Sequence, residues 1–190
     1  MTWLFKIDQV NSWAYLDNFL SSDECQTIIS IGKNKNTTQA LISKQNVEDI
    51  SIRKNKVSWL DEEDSLNWLY PKMTDAIIAL NNQFFGFDLY GFTEKMQFTE
   101  YSELNDFYDQ HIDSMYASKI RKLSIVIQLS DHETYEGSEL EIYTGSKPDI
   151  MKKSQGTLIA FPSYTLHKVT PLTKGKRYSL VAWIGGPNFK

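Results

Sequence analysis

The sequence predicts an α+β domain built around a β-barrel, and three observations carry that expectation. Before Phe92 the chain holds two segments with helical periodicity. From Phe92 onward it breaks into short runs rich in β-branched and aromatic residues. Turn residues punctuate those runs at close spacing, the pattern of a sandwich or barrel with helices packed outside it.

The elements follow in order. Ser21-Ser22-Asp23-Glu24 reads as a capping box, in which a serine hydroxyl and a glutamate three residues later satisfy each other's backbone N–H groups. It opens a helix to about Gly32, with Ile28, Ile29 and Ile31 available for burial. Asn34 to Arg53 is polar and weakly patterned and is expected to be mostly loop. Val57–Leu60 reads as a short strand. A second helix is expected from about Asp64 to Asn82, where Leu66, Leu69, Met73, Ile77 and Leu80 recur at steps of three and four. Pro71 kinks it or marks its true first turn. Seven strands are then expected: Phe92–Tyr101, Phe107–Asp113, Leu123–Leu129, Glu139–Tyr143, Thr157–Phe161, His167–Thr170 and Arg177–Ile184. Gly137, Gly145, Pro148, Gly156, Pro162 and Gly175 separate them.

The 190 residues, 41% hydrophobic and 23% charged, fit a single domain. Residues 1–91 are expected to support a barrel core formed by residues 92–190. A net charge of −4 without a block of like charges argues against nucleic acid as a partner. The single cysteine, Cys25, forbids an intramolecular disulfide; it reads as a small apolar helix residue in a reducing compartment. The first residues lack a basic segment followed by an apolar one, and no stretch approaches the roughly 20 apolar residues of a membrane span. The expectation is therefore a cytoplasmic protein without a membrane partner. Nothing in the sequence sets an oligomeric state.

Chemistry concentrates in Asp106-Phe107-Tyr108-Asp109-Gln110-His111-Ile112-Asp113. Alternate residues of a strand share a face, so His111 and Asp113 can offer an imidazole nitrogen and a carboxylate oxygen to one metal. The chain has only 3 histidines to supply another imidazole. His132 lies in the polar run Ser130–Thr134 and reads as solvated. His167 opens a strand among apolar residues and is the better third ligand. Ten residues on, Arg177 heads a strand whose alternation puts Arg177, Ser179, Val181 and Trp183 on one face. A buried guanidinium needs an anion, and its planar fork suits a carboxylate. Two histidines and one carboxylate on one face of an octahedral iron(II) leave three positions open. 2-Oxoglutarate would take two of them, dioxygen the third, and Arg177 would bind the far carboxylate of the cosubstrate.

From Gln97 to Pro187 the sequence resembles the prolyl 4-hydroxylase branch of the 2-oxoglutarate/iron(II) dioxygenases, especially the PKHD-type hydroxylases. The resemblance runs through Gln97–Tyr101, Phe107–Asp113, Arg121–Ser130, Tyr135–Leu140, Phe161–Ser163 with His167, and Arg177–Trp183. Trp13–Gly32 fits the family's leading strand and helix less specifically. The resemblance implies a double-stranded β-helix, a jelly-roll barrel with the metal near its open end. It implies His111, Asp113 and His167 as iron ligands and Arg177 as the carboxylate anchor. Tyr101 matches a cosubstrate-contacting tyrosine, though an aromatic packed at a strand end reads equally well. Gln128 stands where relatives place a tyrosine that binds the same carboxylate. Tyr108 and Trp183 line the substrate pocket or pack the core. Gly137-Ser138 replaces paired glycines, a change expected to be harmless. Substrate choice is expected in the loops Ser114–Lys119 and Gly145–Gln155.

The activity so implied is hydroxylation of an unactivated C–H bond, with 2-oxoglutarate converted to succinate and CO2. Asp113 favours hydroxylation over halogenation, in which a halide takes the carboxylate's place. A prolyl residue of a protein or peptide is the first substrate, a free amino acid or other small molecule the second; ascorbate is an accessory reductant. Two other classes compete: a catalytically silent β-helix binding module, and a metal-dependent hydrolase or isomerase, for which no general-base glutamate beside a zinc motif is visible.

Overall fold

The structure is a computed structural model that describes residues 9–35, 38–40, 51–61, 65–114 and 120–188. In chain order its elements are β1 (Ala14–Leu16), α1 (Ser22–Asn34), β2 (Thr38–Gln39), β3 (Arg53–Lys54), β4 (Lys56–Leu60), α2 (Leu69–Leu80), β5 (Gly91–Phe92) and β6 (Met96–Tyr101). There follow β7 (Phe107–His111), β8 (Arg121–Gln128), β9 (Tyr135–Gly137), β10 (Leu140–Tyr143) and β11 (Pro148–Ile150). The last four are β12 (Leu158–Pro162), β13 (His167–Val169), β14 (Leu172–Gly175) and β15 (Arg177–Gly185).

Two antiparallel sheets enclose the interior. The larger runs β1-β12-β8-β15-β6-β4-β2, with β5 pairing β15; the smaller runs β11-β10-β13-β7-β3. A ribbon of β14 and β9 stands beside them. This is the jelly-roll double-stranded β-helix that the resemblance implied, with helices on the outside.

Strand β8 shows why the sequence folds this way. Every one of its residues is buried, because both faces are covered. Leu123, Ile125 and Ile127 turn outward to the cluster holding Ile28, Leu69, Met73 and Ile77 of the two helices. Val126 turns inward, to a second cluster with Tyr101, Leu140, Ile142, Ile159 and Phe161 between the sheets. Ser124 and Gln128, also buried, are polar positions within that strand. Gly32 lets α1 settle on the sheet: a Cβ there would overlap the Phe98 ring. The capping box forms as expected, Ser21 Oγ accepting from Glu24 N at 3.2 Å and Glu24 Oε2 from Ser21 N at 2.7 Å.

Several expectations are corrected. Asn34–Arg53 supplies β2 and β3 rather than loop alone, and residues 36–37 and 41–50 of it lie outside those described. The second helix begins at Leu69, so Pro71 stands in its first turn, where a missing N–H costs nothing. It ends in a wider turn, Asn81–Phe85, closed by Gly86 at φ +67°. The long strand from Phe92 is interrupted between β5 and β6. β9, β11 and β14 went unforeseen, each 3 or 4 residues long and without clear alternation. Cys25 is buried in α1. Among the described residues no helix is long and apolar enough to cross a membrane.

Candidate active site

Antiparallel pairing of β7 with β13 sets His111 directly across from His167. β7 ends at His111, so strand alternation does not by itself carry Asp113 to the same face, as the sequence reading assumed. Asp113 is placed by the turn that follows. Its backbone N donates to Ser163 O at 2.8 Å, and Arg121 Nη1 donates to its carbonyl at 3.3 Å. One ligand atom from each of His111, Asp113 and His167 lies within 4.8 Å of the others. His111 Nε2 is 3.8 Å from Asp113 Oδ1, and His167 Nε2 is 3.6 Å from Asp113 Oδ2. Three ligands at right angles around one ion, with bonds of about 2.1 Å, stand roughly 3 Å apart. Both imidazole–carboxylate spacings lie close to that value.

Both imidazoles are oriented by their far nitrogens. His111 Nδ1 donates to Asp109 O at 2.7 Å, and His167 Nδ1 donates to Thr165 O at 2.9 Å. A carbonyl can only accept, so each proton sits on Nδ1 and each Nε2 turns an unprotonated lone pair toward the shared point. Burial pushes the His111 pKa down, as does the neighbouring His167, with Asp113 opposing; the ring stays neutral, the form that binds metal. The Asp113 carboxyl is held below its ordinary range: burial acts upward, while the charge of His167 or His111 when either carries a proton, and the Ser124 hydroxyl, act downward. Ser124 Oγ donates to Asp113 Oδ2 at 2.6 Å and lies 3.0 Å from Ser163 Oγ. The buried Trp183 indole N–H adds to the lowering without reaching hydrogen-bond geometry.

These groups open onto a cavity of about 290 Å³ between the sheets. Tyr108, Trp183, Tyr101 and Arg177 line it with the triad. Tyr108 stacks on His111, ring centroids 3.5 Å apart. Arg177 lies at the cavity's other end and is only 1% exposed. Its Nη1 is buried without a hydrogen-bond partner among the described residues. A buried, unsatisfied cationic donor is costly and marks an anion's place. Tyr101 pairs with Arg177 across β6 and β15, its ring 5.2 Å from the guanidinium carbon. Gln128 sits behind Arg177, accepting from its Nε at 3.2 Å and Nη2 at 2.9 Å. Tyr135 lies beside the same arginine; burial pushes its phenol up, so the hydroxyl keeps its proton. An N,N,O donor set at one end and a guanidinium with Nη1 free among the described residues at the other fit an iron(II) ion and a 2-oxo dicarboxylate.

The structure brings Tyr101, Tyr108, His111, Asp113, His167, Arg177 and Trp183 around one cavity, sets Gln128 behind Arg177, and leaves His132 exposed in a short turn. It adds several that sequence reasoning missed. Arg121 is held bidentately by Glu94, at 2.7 and 2.6 Å, and stacks 3.9 Å over the Trp183 ring. Arg53, 7% exposed, lies 4.3 Å over Tyr108 and donates to Asn55 Oδ1 at 3.0 Å. Ser124 had a legible signal, an inward-facing hydroxyl in an apolar strand. Arg53 had none, because it follows a patternless polar stretch. Of the two loops expected to select substrate, residues 115–119 lie outside those described.

Residues 96–185 match the model of the 2OG-Fe(II) oxygenase superfamily. A PKHD-type hydroxylase of Prochlorococcus marinus strain NATL2A is 31% identical over 169 residues, covering 77% of this chain and 76% of that protein. Another, from Hyphomonas neptunium, is 42% identical over 84 residues, 42% of this chain but 38% of the relative. With that relative, then, the chain shares well under half its length. Among solved structures, a Pseudomonas putida prolyl-4-hydroxylase superposes with TM-score 0.73 at 21% identity, covering 93% of this chain and 94% of the other. A Trichoplax adhaerens prolyl hydroxylase, solved with a hypoxia inducible factor oxygen degradation domain peptide, gives 0.77 at 21%, covering 93% and 84%. At that identity these two speak for the fold. The Prochlorococcus relative, matched over about three quarters of both proteins, leads to one conclusion: the chain belongs to the PKHD-type hydroxylases of the 2OG-Fe(II) oxygenase superfamily.

Proposed function

We propose that this protein is an iron(II)- and 2-oxoglutarate-dependent hydroxylase acting on an unactivated C–H bond of a prolyl residue in a protein or peptide. The observation that carries this reading is one cavity with two inward-turned Nε2 atoms and a carboxylate at one end and the unpaired Arg177 Nη1 at the other. Iron bound there supplies the redox chemistry, coupling dioxygen and conversion of 2-oxoglutarate to succinate and CO2 with hydroxylation of the substrate. Ascorbate would serve to keep the metal reduced.

The chain's own residues position and protect. His111, Asp113 and His167 would hold the ion, and three protein ligands would leave room on it for cosubstrate and dioxygen. Arg177 binds the far carboxylate of the cosubstrate, with Tyr101 beside it, and so fixes which end of the molecule reaches the metal. Tyr108 and Trp183 wall the space between, excluding water from the oxidising centre. Trp59, 43% exposed and 6.2 Å from the Trp183 ring, extends that wall to the surface and offers a platform to a substrate ring.

Arg53 favours a second reading of the substrate. Among the described residues it has no carboxylate partner, although it is buried in the cavity wall beside Tyr108. A small molecule bearing a carboxylate, such as a free amino acid, would satisfy it. The test is succinate formation with iron(II) and 2-oxoglutarate, offering a capped proline-containing peptide and free proline in parallel. Succinate above background with the peptide supports the first substrate, with free proline the second. No succinate under any condition, including turnover without substrate, removes the enzymatic reading.

A further inference from the structure

We infer that Gln128 is a positioning residue for the cosubstrate anchor: its amide oxygen fills the side-on fork of Arg177, so that an incoming carboxylate is met end-on at Nη1. This rests on the proposed binding of 2-oxoglutarate and goes beyond it in assigning how the anchor is aimed. Both side chains are 1% exposed. A guanidinium offers two forks to a carboxylate, one at Nε and Nη2 and one at Nη1 and Nη2. Here a single oxygen, Gln128 Oε1, occupies the first, at 3.2 Å from Nε and 2.9 Å from Nη2. Among the described residues the group left without a hydrogen-bond partner is Nη1, and the Tyr135 hydroxyl lies beside the guanidinium.

The polarity of the amide is not free to reverse. Gln128 Nε2 donates to the backbone carbonyl of Lys152 at 2.9 Å, an acceptor that only the N–H end can satisfy. The oxygen end must therefore face the guanidinium. Flipping the amide would oppose donor to donor at Arg177 and acceptor to acceptor at Lys152, leaving buried groups unpaired on both sides. Gln128 thus cannot do what a tyrosine hydroxyl at this position would do, which is to donate to the cosubstrate's carboxylate.

Neutrality is the second half of the inference. A glutamate has the same reach and would hold Arg177 more strongly, but it would cancel the charge that attracts the cosubstrate. The amide aims the cation without neutralising it.

The experiment uses the whole protein loaded anaerobically with iron(II), and N-oxalylglycine as an unreactive stand-in for 2-oxoglutarate. Calorimetry gives affinities for the metal and the analogue, and a thermal melt gives stability. Gln128→Glu is expected to leave the metal affinity near its original value and to lower the melting temperature, because a carboxylate oxygen then faces the Lys152 carbonyl, while weakening N-oxalylglycine by about tenfold or more. Gln128→Leu keeps the cation but frees its aim, and is expected to weaken the analogue less than Gln128→Glu does. Oxamate, which lacks the distal carboxylate, should bind all three proteins alike. Unchanged N-oxalylglycine affinity in Gln128→Glu overturns the inference, as does a loss that oxamate shares. If the unaltered protein takes metal but not N-oxalylglycine, the proposed function fails first, and the inference with it.

Discussion

At the deep end of the cavity, Tyr101, Arg177 and Gln128 sit on neighbouring strands of the larger sheet, in unbroken register from Arg177 opposite Tyr101 to Ser179 opposite Gln128. At the other end, His111 and His167 come together on the smaller sheet where β7 stops, β13 begins and their register shifts, and Asp113 lies beyond any strand. Regular pairing places the anchor's strands, and the Gln128 amide then sets the direction of the Arg177 guanidinium. The metal centre is fixed by single hydrogen bonds at strand ends: Nδ1 to a carbonyl for each histidine, and Ser124 to the carboxylate. The anchor should therefore tolerate loss of a neighbour better than the triad does.

The harshest way to break this comparison is to remove a triad imidazole. His111→Ala or His167→Ala is expected to lower iron(II) affinity at least 100-fold, since two protein ligands cannot close the face; calorimetry under anaerobic conditions measures it. Arg177→Ala should spare the metal but raise the KM for 2-oxoglutarate more than about tenfold. Equal loss of metal and cosubstrate affinity in that variant would contradict the division of labour between the two ends. Ser124→Ala sharpens the contrast. Freed from its hydroxyl, the Asp113 carboxylate should cost about 10-fold in metal affinity, within the usual range for such supporting groups.

A smaller effect is expected at the rim. Gly137 stands at φ +72°, where a Cβ would overlap Pro171 O, so glycine is required there. Ser138 follows at φ +50°, in the left-handed region that costs a residue with a Cβ about 1–2 kcal/mol, and its buried Oγ has no partner among the described residues. The substitution for glycine at this position is thus not neutral to folding. Ser138→Gly is expected to stabilise the protein by about 1 kcal/mol in denaturant unfolding, with metal affinity unchanged. The smallest signal is at Cys25, whose thiol burial pushes up to about 11. It should ignore a thiol reagent at pH 8 in the folded protein and react fully in denaturant; rapid labelling of the folded form would contradict its burial.

Much of this was legible beforehand for a physical reason: residue type constrains chemistry where spacing does not. Two histidines, an aspartate and a late arginine on strand-like segments pointed to one cavity, and alternation along β15 put Arg177, Ser179, Val181 and Trp183 on its wall. The reasoning failed where local pattern ends. Alternation was invoked to align His111 with Asp113, but the strand stops between them and a hydrogen bond to Ser163 O does the work. Arg53 was passed over as loop because two-residue strands carry no period to read.

The sequence by itself determined the identity of the chemical groups, the capping box of α1, and the alternation that separates the helix-facing from the cavity-facing side of β8 and β15. These are local properties, set by side chains a few residues apart. Only the tertiary structure decided which partner each group met. The fork of Arg177 is filled by an amide 49 positions away in the chain, and the carboxylate of Asp113 is steadied by a hydroxyl from β8 of the larger sheet. Hydrogen bonds between distant segments depend on how the sheets close, and no linear spacing encodes that closure.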